Sequence, residues 1–147
     1  MINPTTLALD LEGTLISNAV SQIPRPELFW FLDSCRGLFE RIVIYTAVSE
    51  DRFRKIANLL AREQAVPSWF ANLEYINWDK ITKNLSNIPN AKVAETVLVD
   101  DQREYVHSGQ DEQWIMVPEF LPPYDINDRA LRNIIQQMKH RFTLPQL

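Results

Sequence analysis

The sequence predicts an α/β fold: a doubly wound, mostly parallel sheet flanked by helices. Three observations lead there. Short, continuous apolar runs recur along the chain, segments of helical period lie between them, and the length and composition suit one compact unit. Of 147 residues 46% are hydrophobic, enough for a real core, and three glycines among nine prolines leave no flexible linker. A single domain over residues 1–147 is therefore expected.

The strands come first. Thr6-Leu7-Ala8-Leu9, Ile42-Val43-Ile44-Tyr45 and Thr96-Val97-Leu98-Val99 are uninterrupted apolar or β-branched runs, and Trp114-Ile115-Met116-Val117 is a fourth. Runs this short without polar alternation suit strands buried on both faces, as in a parallel sheet covered by other layers. A further strand is expected near Leu73–Ile76 within the aromatic stretch 67–86.

The helices follow from period and start signals. Pro26 to about Leu38 opens with proline at a first helical position, Ser49 to about Gln64 with a capping serine before Glu50 and Asp51, and Ile126 to about Arg141 with Asp125. Strands alternating with helices imply crossover connections and layered α/β packing.

Composition excludes several functions. One cysteine and two histidines make neither a disulfide nor a zinc site of Cys/His type. A net charge of −4 argues against a nucleic-acid surface, whose affinity for phosphate backbones is cationic. No signal-peptide pattern and no membrane-length apolar stretch is visible, so no membrane partner and a cytoplasmic location are expected.

The polar residues that end the apolar runs carry the chemistry. Asp10 and Glu12 follow the first, Thr46 the second, Asp100 and Asp101 the third. In an open parallel sheet the carboxyl ends of the strands border the ligand crevice, so these groups should converge. Two carboxylates 4 Å apart repel by about 4 kcal/mol at an effective dielectric near 20, which calls for a cation. An oxygen-only donor set favours a hard ion such as Mg²⁺, which binds through a few carboxylates, water and substrate phosphate. Asp10 or Asp101 taken singly reads better as a turn or cap residue; the set together does not.

Asp10-Leu11-Glu12-Gly13-Thr14-Leu15 resembles the D-x-D-G-T-L signature of the haloacid dehalogenase-like (HAD) hydrolases. Tyr45-Thr46-Ala47 resembles that superfamily's second motif, and Val99-Asp100-Asp101 its acidic fourth. Arg25-Pro26-Glu27-Leu28-Phe29-Trp30-Phe31-Leu32 and Thr82-Lys83-Asn84-Leu85-Ser86 are similar to segments of its capless branch, the small C-terminal-domain phosphatases of the NLI-interacting-factor-like family. The resemblance spans nearly the whole chain and implies a Rossmann-like, HAD-like fold with no sizeable cap domain.

It also implies a Mg²⁺-dependent phosphatase working through an aspartyl-phosphate. Asp10 would be the nucleophile and Glu12 the general acid and base. Thr46 would hold a phosphate oxygen and Lys83, or alternatively Lys80, would supply the cation. The metal would be held by Asp10, the backbone carbonyl of Glu12 and Asp100, with Asp101 orienting a metal-bound water or the lysine. Glu12 departs from the usual aspartate by one methylene, roughly 1.5 Å of extra reach. On that account a non-catalytic phosphate-binding module is the alternative. The substrate class is a small phosphorylated metabolite or a phosphoprotein, and capless members close their sites on large substrates or by forming a homo-oligomer. Only residues 16–25 separate Leu15 from Pro26, too few for the strand insert of the C-terminal-domain phosphatases, so their peptide specificity is not carried over.

Overall fold

The computed structural model describes residues 2–146. Five parallel strands form one sheet: β1 (Thr6–Leu9), β2 (Arg41–Thr46), β3 (Glu74–Asn77), β4 (Thr96–Asp100) and β5 (Trp114–Met116). Their spatial order is β3-β2-β1-β4-β5. Every neighbouring pair is parallel, so the expected sheet forms without an antiparallel strand. β1 and β4 are buried along their whole length, which is why neither shows polar alternation.

Among the described residues three α-helices accompany the sheet: α1 (Leu28–Leu38), α2 (Glu50–Arg62) and α3 (Ala130–Arg141). Phe31 and Leu32 of α1, Phe53 and Leu60 of α2, and Ile134 and Met138 of α3 share one apolar cluster with Leu7, Leu9, Val97 and Val99. The opposite face, with Ala8, Val43, Tyr45 and Leu98, is covered by the irregular segment that carries Leu85 and Ile88. That segment contains short 3-10 turns at Leu85–Asn87 and Val93–Glu95 instead of an α-helix. One layer is therefore helical and the other is built of turns, and the turn layer carries Lys83.

Two helices start later than their sequence signals suggest. Glu27, in left-handed conformation at φ 68°, offers α1 no side-chain cap. Its carboxylate instead accepts from Arg132 of α3 at 2.8 Å, so tertiary pairing takes the group that would have extended the first turn. Before α3, Asp125 begins a turn, accepting from the backbone N–H of Asn127 on its side chain and of Asp128 on its carbonyl. The helix follows at Ala130, and Ile126, expected to open its apolar face, is exposed. α2 matches its signal, Ser49 Oγ accepting from Arg52 N–H at 3.3 Å. β3 begins one residue after the expected Leu73, whose N–H closes the preceding 3-10 turn on Phe70.

The topology sets up a crevice. From β1 the chain moves through β2 to β3, then returns to place β4 on the other side of β1. The carboxyl ends of β1 and β4 thus flank the point where the winding reverses, the usual ligand position in open α/β sheets. Leu9 is level with Ile44 and Val99, which brings the next residues, Asp10, Tyr45 and Asp100, to the same edge.

Candidate active site

At that edge a cavity of about 300 Å³ is lined by Asp10, Glu12, Gly13, Thr46, Asp101 and Glu119, among others. Among the described residues no cap covers it: the segments between Asp10 and Thr46 and between Thr46 and Lys83 are spent on a loop, α1, α2, a 3-10 turn and β3.

Asp10 is held by both carboxylate oxygens. Oδ1 accepts from Lys83 Nζ at 2.7 Å and Oδ2 from Thr14 Oγ1 at 2.7 Å. Its own N–H donates to Val99 O, so β4 fixes the backbone beneath it. Lys83 Nζ also donates to Asp100 Oδ2 at 2.5 Å and lies 4.9 Å from the Trp78 ring. Lys83 is 1% exposed and Asp100 fully buried, so this cation and two anions form a low-dielectric cluster in which unmade contacts are costly.

Lys83 reaches the site because the turn layer runs back under the crevice. Its N–H bonds Tyr105 O, tying the segment to the loop after β4. Lys80, the alternative lysine, is exposed, has a left-handed backbone at φ 71°, and lies outside the lining of the cavity.

Electrostatics follow from burial. Desolvation drives the Asp10 carboxyl well above its usual range, Lys83 opposes this, and the Asp100 charge adds to the rise. Asp100 is raised for the same first reason, again against Lys83. Burial by itself would lower the Lys83 ammonium, but Asp10 and Asp100 outweigh it and hold its pKa above the ordinary value. One lysine does not neutralise the acids, for Asp101 completes a group of three whose carboxylate oxygens lie within 4.8 Å of one another. Three hard oxygen donors at that spacing suit a divalent cation of the Mg²⁺ type.

Asp101 does not touch Lys83. It accepts from Thr14 Oγ1 at 3.3 Å and from Gln102 Nε2 at 2.9 Å. Gly13 explains its own presence: at φ 77° a Cβ there would stand 2.6 Å from Asp101 Oδ2. The Glu12 carboxylate lies outside the acidic group and accepts from Ala19 N–H at 2.7 Å, pinned to the loop that follows β1. Thr46 is buried, and its Oγ1 accepts from Val48 N–H at 3.2 Å.

Sequence reasoning omits several lining groups: Ser17, Asn18, Gln102, Tyr105 and Glu119. Gln102 Nε2 also bonds Glu119 Oε1 at 3.1 Å, so Glu119 borders the acidic group. An acid two residues after the Trp114–Val117 run is the one available signal for Glu119. The others sit on irregular loops or, for Tyr105, on a single 3-10 turn, neither of which carries a period.

The electrostatics predict a pH effect on stability. A carboxyl whose folded pKa lies above its unfolded one binds more protons when folded, so folding stability falls as pH rises through that interval. Metal-free protein is therefore expected to melt at lower temperature as pH climbs from about 3.8, the ordinary carboxyl value, toward neutrality. Adding Mg²⁺ at neutral pH should reverse the loss, by about 2.7 kcal/mol at a hundredfold excess over its dissociation constant. Thermal unfolding with and without MgCl₂ measures both arms.

A family model described as NLI interacting factor-like phosphatase matches residues 5–143. The structure of Fcp1, described as an essential RNA polymerase II CTD phosphatase, is 13% identical with a TM-score of 0.58, covering 95% of this chain and 50% of that one. Fission yeast Fcp1 bound to beryllium fluoride is 15% identical with a TM-score of 0.55, at the same coverage. At such identities the likeness is one of fold. This chain spans about half the length of either structure. No curated protein matches it by sequence.

Proposed function

Because this chain belongs to the NLI interacting factor-like phosphatase family, and so is a phosphatase, we propose that it hydrolyses phosphomonoesters by way of a phosphoryl group carried on Asp10. Family membership favours the enzyme over the non-catalytic module. The observation that carries the reading is the setting of Asp10, which lines the cavity while both its oxygens are oriented by Lys83 and Thr14.

In this reading Asp10 attacks phosphorus and the ester oxygen leaves, giving an acyl phosphate that water then cleaves; two displacements replace one. Near neutrality, attack uses the ionised form of Asp10, which Lys83 favours against burial. Lys83 also offsets the charge that builds on the phosphoryl oxygens. Thr46, whose Oγ1 serves only as an acceptor for Val48, offers its hydroxyl proton to one of those oxygens. Asp10, Asp100 and Asp101, with the Glu12 backbone carbonyl, would hold Mg²⁺, which supplies further charge neutralisation at the phosphate. Glu12 is the proton donor to the leaving oxygen and later the base for water, and it reaches the crevice by releasing Ala19 N–H. The substrate is a small phosphorylated metabolite or a phosphoprotein; the open crevice admits either. The described residues act as one capless unit.

Release of phosphate from p-nitrophenyl phosphate with Mg²⁺, its loss with EDTA, and hydroxylamine-sensitive phosphate trapped on the enzyme are the expected results. Turnover indifferent to EDTA and leaving no trapped phosphate would sink the mechanism. The role of Glu12 has a separate signature. Glu12→Gln should lower kcat/KM, which reports the step that expels the ester oxygen, by about 10²-fold or more on an alkyl phosphate, but far less on p-nitrophenyl phosphate, whose leaving group needs little protonation. Equal losses of kcat/KM on both esters would remove Glu12 from the role of proton donor.

A further inference from the structure

Arg25 is the largest of the fully buried side chains and lies outside the lining of the cavity. A guanidinium keeps its charge in the interior, so its burial is tolerated only where its N–H groups find acceptors in the right geometry. Arg25 finds them in two places. Nε and Nη2 donate to Asp128 Oδ1 and Oδ2 at 3.2 and 3.1 Å, a bidentate pair reaching across 103 positions. Nη1 donates to Thr14 O at 3.2 Å and Gly13 O at 3.4 Å. The Phe120 ring lies 5.2 Å from the guanidinium carbon, and Phe120 N–H donates to Gly13 O at 2.8 Å.

The backbone that Arg25 grips is the turn that presents Thr14 to Asp10. Thr14 N–H makes only a long bond of 3.4 Å to Leu11 O, so its local hold is weak. Its hydroxyl must nevertheless stay 2.7 Å from Asp10 Oδ2. Asp128 in turn is fixed at the head of α3, where Oδ1 also accepts from Ala130 N–H. A chain of contacts thus runs from α3 through Asp128, Arg25 and the Thr14 carbonyl to the Thr14 hydroxyl and Asp10.

The geometry points to Arg25 as a positioning residue for the reaction: with Asp128 it sets the Gly13–Thr14 turn so that the Thr14 hydroxyl orients the Asp10 carboxylate. The inference rests on the reading of Asp10 as nucleophile. Nothing in it requires Arg25 to touch substrate, so its loss should appear in kcat and leave KM alone.

The test is a double-mutant cycle on Mg²⁺-loaded protein with p-nitrophenyl phosphate. Arg25→Met and Thr14→Val are each expected to lower kcat by about 10²-fold, the scale of a misplacement near 1 Å, with KM within about twofold. Because both act on Asp10 through one hydroxyl, the double variant should be no slower than the slower single variant. Independent effects would instead multiply to about 10⁴-fold. Asp128→Asn retains the bond to Ala130 but loses the charge that holds the guanidinium. It should show a smaller loss that likewise fails to multiply with Thr14→Val, and it carries the test should Arg25→Met not fold. Multiplying losses, or a folded Arg25→Met with wild-type kcat, overturns the inference. Turnover that survives Asp10→Asn would instead fail the nucleophile reading itself, and the inference with it.

Discussion

Asp10→Asn is expected to reduce phosphate release by about 10⁴-fold or more, because an amide cannot form the acyl phosphate and no second carboxylate shares its position. Asp100 is fully buried behind the Lys83 ammonium, and Asp101 is engaged by Thr14 and Gln102. The fold should not suffer. Asn keeps an acceptor for Lys83 or Thr14 and removes one of two carboxylates whose burial is unfavourable. The variant should therefore melt at or above the wild-type temperature in the absence of metal, while p-nitrophenyl phosphate turnover disappears. A loss of activity that tracks a loss of folded protein would contradict this account.

Lys83→Met is the second large effect, and here stability and activity fall together. The side chain is buried, donates to two carboxylates and lies against Trp78 and Tyr105. Methionine fills much of the volume but leaves Asp10 and Asp100 as neighbouring buried anions. Removing one partner of a buried pair typically costs 3–5 kcal/mol, a large part of the roughly 5–15 kcal/mol that holds a domain folded. The sign of the pH effect follows: with the lysine gone both carboxyls rise further, so the variant is least impaired in acid and most impaired at neutral pH. Urea unfolding at two pH values reads the difference. Mg²⁺ should recover part of the stability but little of the activity, since it does not replace the cation beside the attacked phosphate. A variant as stable as wild type at neutral pH without metal would show that the cluster carries little of the folding energy.

Legibility in the sequence divided along physical lines. The four apolar runs became β1, β2, β4 and β5 because a continuous apolar stretch is a property of neighbouring residues; β1 and β4 are buried on both faces, while β2 is half-buried at its start and the edge strand β5 leaves Met116 exposed. Ser49 capped α2 for the same local reason. Where a signal met a competing partner, it shifted. Glu27 turned to Arg132 across the fold, and Asp125 closed a local turn with Asn127 and Asp128 instead of starting the helix. The layer covering the second face, with its 3-10 turns, shows no period to read.

The site divides the same way. That Asp10, Thr46, Asp100 and Asp101 share one edge follows from their place after apolar runs in a parallel sheet, so the sequence alone determined the fold class and the acidic crevice. The contact of Lys83 with Asp10 and Asp100, the pinning of Glu12 on Ala19 and the borders made by Gln102 and Glu119 were set only by the tertiary structure. So was the hold of Arg25 and Asp128 on the turn beneath Asp10. The reason is range. Burial of a run is written in consecutive residues, whereas these contacts join residues 7 to 103 positions apart and exist only once the sheet and its loops have set their distances.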